Sequence, residues 1–230
     1  MKREKFLKTG IKALGVLTVV PIVLAATQNS TLSNQVGDCD LTPSETAGPF
    51  PTKNPAAFQI ADIRSDRKGV DLEIAIHVQN LNNKCAPLPD AIVDIWLCDK
   101  DGYYSEYGGM RMQRQDFSAA HFLRGRQISD NKGKVGFRSI FPGWYPGRAP
   151  HIHVHIFDAK GNSLLVTQIA FPEKECNTVY TKSEFYTRGL QDTPNNRDGV
   201  FGSSLEAEMG ELAGNISAGY TLTHTINVDA

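Results

Sequence analysis

Alternation at every second residue marks two stretches of the chain. Val70, Leu72, Ile74, Ile76 and Val78 are separated by polar or small residues, and Tyr220, Leu222, His224, Ile226 and Val228 by Thr221, Thr223, Thr225 and Asn227. Successive side chains of a strand point to opposite faces, so both stretches predict half-buried antiparallel strands. Four more candidates lie between them: AIVDIWLC (91–98), KVGFRSIF (134–141), PHIHVHIF (150–157) and SLLVTQIAF (163–171). The turn signals DKDG, DNKG, PGWYPG and DAKGN part them. Helical patterning is weak: SSLEAEMGELAG (203–214) predicts one short helix, and residues 105–121 and 177–200 read as long loops. The predicted fold is mainly β, an antiparallel β-sandwich with long loops and little helix.

At 230 residues, 40% hydrophobic and 21% charged, the chain can form one core of ordinary size, and it contains neither an internal repeat nor an interdomain linker. Its first residues follow a different pattern. A basic stretch, MKREKFLKTGIK, precedes the apolar run ALGVLTVVPIVLAA and then polar TQNSTLSNQ, the order of a secretory signal peptide. The apolar run, 13–26, is short for a bilayer span of ~20 residues and contains Pro21, which argues against an uncleaved anchor. REKFLK approaches a twin-arginine signal, with Glu4 where the second arginine would stand. The expected organisation is a signal peptide at 1–26, a flexible lead-in at 27–38 and one domain at 39–230, exported to a periplasmic or extracellular setting.

Loss of 1–26 removes five basic residues (Lys2, Arg3, Lys5, Lys8, Lys12) and Glu4, which moves the net charge from −1 to −5. No basic surface for nucleic acid is expected. The four cysteines, Cys39, Cys85, Cys98 and Cys176, suit disulfides in an exported chain and lack the CxxC spacing of a zinc site. Three pairings are open; the expected one is Cys85 with Cys98, which bracket one strand, and Cys39 with Cys176. A homo-oligomer is compatible with the sequence.

The chemistry concentrates in RAPHIHVHIF (148–157), where His151, His153 and His155 share one face of a strand. Alone, the pattern suits a polar strand face as well as two imidazoles presented to one metal. Nearby tyrosines change that balance: Tyr145 stands six residues before His151, and DKDGYYSEY ends another strand with Tyr103 and Tyr104. A phenol with pKa ~10 costs about 4 kcal/mol to ionise at pH 7, so a two-imidazole, two-phenol set calls for a strong Lewis acid. Ferric iron meets that requirement, whereas zinc and Fe(II) sites usually draw on His, Cys or carboxylate.

The stretches ETAGPF (45–50), PDAIVDIWLCDKDGYYS (89–105), FLRGRQISDNKGKVGFRSIFPGWYPGRAPHIHVHIF (122–157) and TQIAFP (167–172) together resemble the intradiol ring-cleavage dioxygenases, the family of catechol and protocatechuate dioxygenases. The ordered set DGYYS, PGWYPGR and HIH is specific where each piece alone is weak. The resemblance implies a non-haem Fe(III) site with ligands Tyr104, Tyr145, His151 and His153, a catechol-type substrate, O2 as co-substrate and a cis,cis-muconate-type product. Tyr145 matches the ligand that leaves when substrate binds. Arg148 matches an arginine over the substrate ring, Gln168 a glutamine on the oxygen side, and Gly48, Pro49 and Phe50 the cavity-lining loop. Tyr103 falls at a variable position, and His155 is not required. His77, His121 and His224 read as structural and Trp96 as core. The helical dimerisation segment of catechol dioxygenases has no counterpart here, and the export signal and cysteines resemble a secreted branch instead.

Two alternatives remain at this level. One is an exported, non-catalytic β-sandwich module that binds iron or catechol-type ligands. The other is a cupin-like or zinc hydrolase with Glu173 or Glu175 as a third ligand, which leaves the tyrosines unexplained.

Overall fold

The computed structural model describes residues 39–230, so the expected signal peptide and lead-in lie outside the described residues. The strands are β1 (Asp71–Asn80), β2 (Ala86–Pro87), β3 (Ile92–Trp96), β4 (Arg124–Ile128), β5 (Lys134–Ile140), β6 (His151–Phe157) and β7 (Ser163–Ala170). Helix α1 (Glu173–Lys182) and the single turn α2 (Leu205–Glu208) follow, and then β8 (Glu211–Asn215) and β9 (Gly219–Val228). One sheet runs β2-β1-β9-β8, with β5 also paired to β1; the other runs β4-β3-β6-β7. Among the described residues, no helix is long and apolar enough to cross a membrane.

The core lies between the sheets. Leu72, Ile74, Ile76 and Val78 of β1 share it with Val93 and Ile95 of β3 and with Ile152, Val154 and Ile156 of β6, all essentially inaccessible. Each such side chain contributes about 1.5–3 kcal/mol relative to exposure. The alternation that sends these residues inward sends Asp94, Trp96, His151, His153 and His155 to the opposite face of the second sheet. The register aligns them: Trp96 lies opposite His153, and His153 opposite Gln168. That outer face is not solvated, because the long loops fold over it and leave His151 and His153 buried.

Four expectations are corrected. First, β1 is antiparallel to β2 and β5, and β9 to β8, as expected, but β1 and β9 pair with each other in parallel, Leu72 opposite Tyr220 through Asn80 opposite Val228; period 2 specifies a buried face but not strand direction. Second, only 205–208 of the segment 203–214 is helical, and 211–215 forms β8. Gly210 packs against Leu222 and Ile169 and Gly214 adopts positive φ, neither of which suits a continuing helix. Third, α1 occupies the start of the expected 177–200 loop; it buries just Cys176, Val179 and Tyr180, a stripe too narrow to dominate its polar sequence.

Fourth, Cys39 is bonded to Cys85, Cα atoms 6.0 Å apart, while Cys98 and Cys176 are free and buried. Cys98 follows Trp96 and Leu97 into the aromatic cluster on the outer face of its sheet, and Cys176 packs from α1 into the core, so the two belong to different buried clusters.

Candidate functional site

The two tyrosine-bearing turns are joined back to back. The Asp99 carbonyl accepts from Gly102 N (2.9 Å) and from Gly143 N (3.0 Å), so DKDG and PGWYPG share one anchor. The Asp99 carboxylate caps the first turn, accepting from the N–H groups of Asp101 (3.0 Å) and Tyr103 (2.9 Å). Gly102 has φ +85°, and a Cβ there would lie 2.1 Å from the Trp144 carbonyl, so only glycine lets the turns approach this closely.

This arrangement brings Tyr104 and Tyr145 together edge to face, ring centroids 5.7 Å apart, over the outer face of β6. The Tyr104 hydroxyl oxygen lies 3.3 Å from His151 Nε2, which is 3.1 Å from His153 Nε2. Tyr145 closes the group at 5.7 Å from the His151 ring. All four expected metal-binding side chains therefore converge. Tyr103, by contrast, turns away onto Phe117, and His155 bonds Ser163 Oγ at 2.8 Å. His121 pairs with Glu106, and His224 is buried and pushed down to about 4 by burial. Glu173 accepts from Asn195 N at the start of α1, away from the imidazoles.

His151 Nδ1 donates to the Ala149 carbonyl at 2.6 Å, which leaves the Nε2 lone pair facing the centre. Burial drives the His151 pKa down to about 3, with the Arg148 charge adding to it, and drives His153 well below its ordinary value. Both rings are therefore neutral at pH 7, the form that binds metals. Burial pushes both phenols up, Tyr104 strongly, so neither ionises without a cation.

These features fit a single hard cation. Two nitrogens ~2.1 Å from one ion and at right angles stand ~3 Å apart, close to the observed Nε2 separation. His153 Nε2 and the Tyr104 hydroxyl face the same His151 lone pair, which can accept only one proton. Among the described residues no three His, Cys, Asp or Glu side chains form a metal-sized group; the other polar atom beside the two imidazoles is the Tyr104 hydroxyl.

The surrounding wall matches the expected residues in part. Phe50 stacks on Tyr104 at 4.8 Å and meets Tyr145 edge to face, Gly48 lies against the His153 ring, and Pro49, partly buried, connects them. Trp96 is buried as expected but belongs to the site, parallel to His153 at 4.9 Å. Arg148 is buried, and its Nη2 donates to Gln168 Oε1 at 2.6 Å. Gln168 Nε2 in turn donates to the Thr46 carbonyl at 2.8 Å.

Three supporting residues escaped sequence reasoning. Asp198 accepts from Arg148 Nε. Gln113 brackets the backbone of Tyr104. Arg124, fully buried, donates to the carbonyls of Phe50 (2.8 Å) and Ser105 (2.7 Å). Two of them lie in segments marked as long loops; nothing in the sequence singled out the residue itself.

The model of a family described as Dioxygenase matches residues 47–184, more than half the chain. A hydroxyquinol 1,2-dioxygenase from Rhizobium sp. (strain MTP-10005) is 27% identical over 148 residues, 56% of this chain and 48% of the relative, so the chain spans about half that relative's length. Among solved structures, an intradiol ring-cleavage dioxygenase from Tetranychus urticae superposes with TM-score 0.75 at 29% identity, covering 83% of this chain and 95% of its own. The dioxygenase domain of a carbohydrate-binding fusion protein from Streptomyces sp. SirexAA-E gives TM-score 0.59 at 26% identity, with 83% and 99% covered. The matched region contains both tyrosine turns, the HIH strand and the Gln168 strand, and with this family match the chain belongs to the intradiol ring-cleavage dioxygenases.

Proposed function

We propose that this protein is an exported non-haem Fe(III) enzyme that cleaves a catechol-type ring between its hydroxyl-bearing carbons with O2, giving a cis,cis-muconate-type diacid. The observation that carries this reading is the clustering of two buried, neutral imidazoles with the Tyr104 hydroxyl, and of the buried Tyr145 ring against both Tyr104 and His151. Tyr104, Tyr145, His151 and His153 would hold the iron, which when bound supplies the Lewis acidity and charge donation that make a catecholate reactive toward O2. Export is supported by the Cys39–Cys85 bond and by the charge and apolar pattern of 1–26.

The protein's own groups divide the work. His151 and His153 stay neutral through burial and keep Nε2 directed inward. Tyr104 is held through its backbone by Gln113 and on its ring by Phe50, so it is the fixed phenol. Tyr145, on the PGWYPG turn, matches the family ligand that leaves the iron when substrate binds; its hydroxyl oxygen can take the first proton from the incoming diol. Arg148 presents its guanidinium beside Tyr145, where it offsets negative charge building on the ring. Phe50, Trp96 and Gly48 exclude water around the imidazoles.

The test is metal analysis, visible absorption and oxygen uptake by the purified full chain with catechol, protocatechuate, hydroxyquinol and larger lignin-like catechols. A burgundy iron protein that consumes O2 with at least one diol is expected. A colourless zinc protein inert to all of them overturns the reading, and iron binding without O2 uptake selects the non-catalytic module. Tyr104→Phe is expected to lose iron retention.

A further inference from the structure

We infer that Asp198 is the positioning residue that orients Arg148 toward the reacting ring, an inference that rests on the ring-cleavage reading above. Both carboxylate oxygens of Asp198 lie within hydrogen-bond reach of Arg148 Nε, at 2.9 and 2.8 Å. The same oxygens accept from the N–H groups of Val200 (2.9 Å) and Ala149 (2.7 Å). Burial works against ionising Asp198, but the Val200 and Ala149 N–H groups and the Arg148 guanidinium outweigh it and hold its carboxyl below the usual carboxylate range. Arg148 Nη2 is taken by Gln168, whose amide is fixed in turn by Thr46. One edge of the guanidinium is thus pinned at two nitrogens by two buried partners, and its plane has no freedom to rotate.

Asp198 is itself prepared for this task. Three residues earlier, Asn195 donates from Nδ2 to the Phe171 carbonyl at 2.8 Å and from its backbone to Glu173, which anchors the loop to the end of β7 and to α1. Three residues later, Phe201 packs beneath the guanidinium at 5.6 Å and against the His151 ring. The bond from the N–H of Ala149, the residue next to Arg148, holds the carboxylate in register with the guanidinium. An asparagine at 198 could not reproduce this, because its amide nitrogen would face an N–H donor whichever way it turned.

The experiment compares the iron-loaded full chain with Asp198→Asn, Arg148→Lys and the double variant. Iron content, tyrosinate absorption, 4-nitrocatechol affinity and the kcat and KM of catechol cleavage are measured for each. Asp198→Asn is expected to keep its iron and visible band while kcat falls roughly a hundredfold, the scale of a misplaced catalytic group. In the Arg148→Lys background it is expected to cost nothing further, since both changes disable the same guanidinium. Unchanged kcat, or losses that multiply in the double variant, overturn the inference. Should Asp198→Asn fail to fold, Asp198→Glu carries the same test: it keeps the charge but shifts it by one methylene, and unchanged kcat again overturns the inference. Wild-type protein inert toward every diol overturns the ring-cleavage reading instead. In that case 4-nitrocatechol decides: weaker binding by Asp198→Asn supports the positioning role, and equal binding overturns it.

Discussion

Gln113 grips the backbone of Tyr104 at both of its polar groups: its Oε1 accepts from Tyr104 N at 2.7 Å, and its Nε2 donates to Tyr104 O at 2.8 Å. The same amide nitrogen also donates to Tyr107 O at 2.8 Å. One buried side chain thereby does what a neighbouring strand does for a residue in a sheet, at a position where the chain has left β3. Gln113→Ala would strand the Tyr104 backbone groups in a buried setting. It is expected to cost about 2–3 kcal/mol, read from the urea midpoint, and to weaken iron retention at equal protein concentration. Full iron occupancy in a destabilised variant would separate the two effects and refute the link to Tyr104.

Gly48 meets the site from the other side. Its φ is +67°, and a Cβ there would come 2.9 Å from His153 Cε1 and 3.3 Å from Nε2. Gly48→Ala therefore combines backbone strain of about 1 kcal/mol with a displaced imidazole. The expected result is a small loss in thermal midpoint and a much larger loss of iron affinity in a chelator competition. Equal losses in both would mean that His153 yields without consequence.

Much of this site was legible because strand periodicity and turn residues act locally. Period 2 put His151 and His153 on one face, and DKDG and PGWYPG predicted the turns that carry Tyr104 and Tyr145. What period 2 could not specify was what covers that face: Arg124, Gln113 and Asp198 act across gaps of 74, 9 and 50 residues, and no local pattern encodes such pairings. The parallel pairing of β1 with β9 and the hidden α1 escaped for the same reason, since direction and packing partner are tertiary choices.

The disulfide assignment is open to direct measurement. Cys39 and Cys85 close a loop over 46 residues of sequence, worth roughly 4 kcal/mol in a chain-entropy account. Reduction is therefore expected to lower the thermal midpoint by several degrees. Burial pushes the thiols of Cys98 and Cys176 far above the normal range, so both should resist alkylation in the native state and react only in denaturant. Peptide mapping that finds Cys98 or Cys176 in a native disulfide would contradict the structure.

Glu208 gives the stability a pH dependence of definite sign. It is buried, and burial with the nearby Glu45 carboxylate raises its pKa from 4.5 to about 7, against the opposing pull of Ser204, Thr167 and Arg148. The Ser204 hydroxyl lies within reach of Glu45, Glu208 and the Phe201 carbonyl, yet it has a single proton to give. A protonated Glu208 can donate to Ser204 Oγ and leave that proton for another acceptor. Between pH 4.5 and about 7 the folded state therefore holds a proton that the unfolded chain has released, so this contribution is complete below 4.5 and is lost as pH rises through 7. His151 and His153, buried neutral, act in the opposite direction in metal-free protein, so only the difference between wild type and Glu208→Gln isolates the carboxyl. That variant, neutral at every pH, is expected to gain on the order of 3 kcal/mol over wild type at pH 8 and little at pH 4.5. Urea titrations across that range check it, and a difference that does not change with pH would mean that Glu208 ionises without cost in the folded protein.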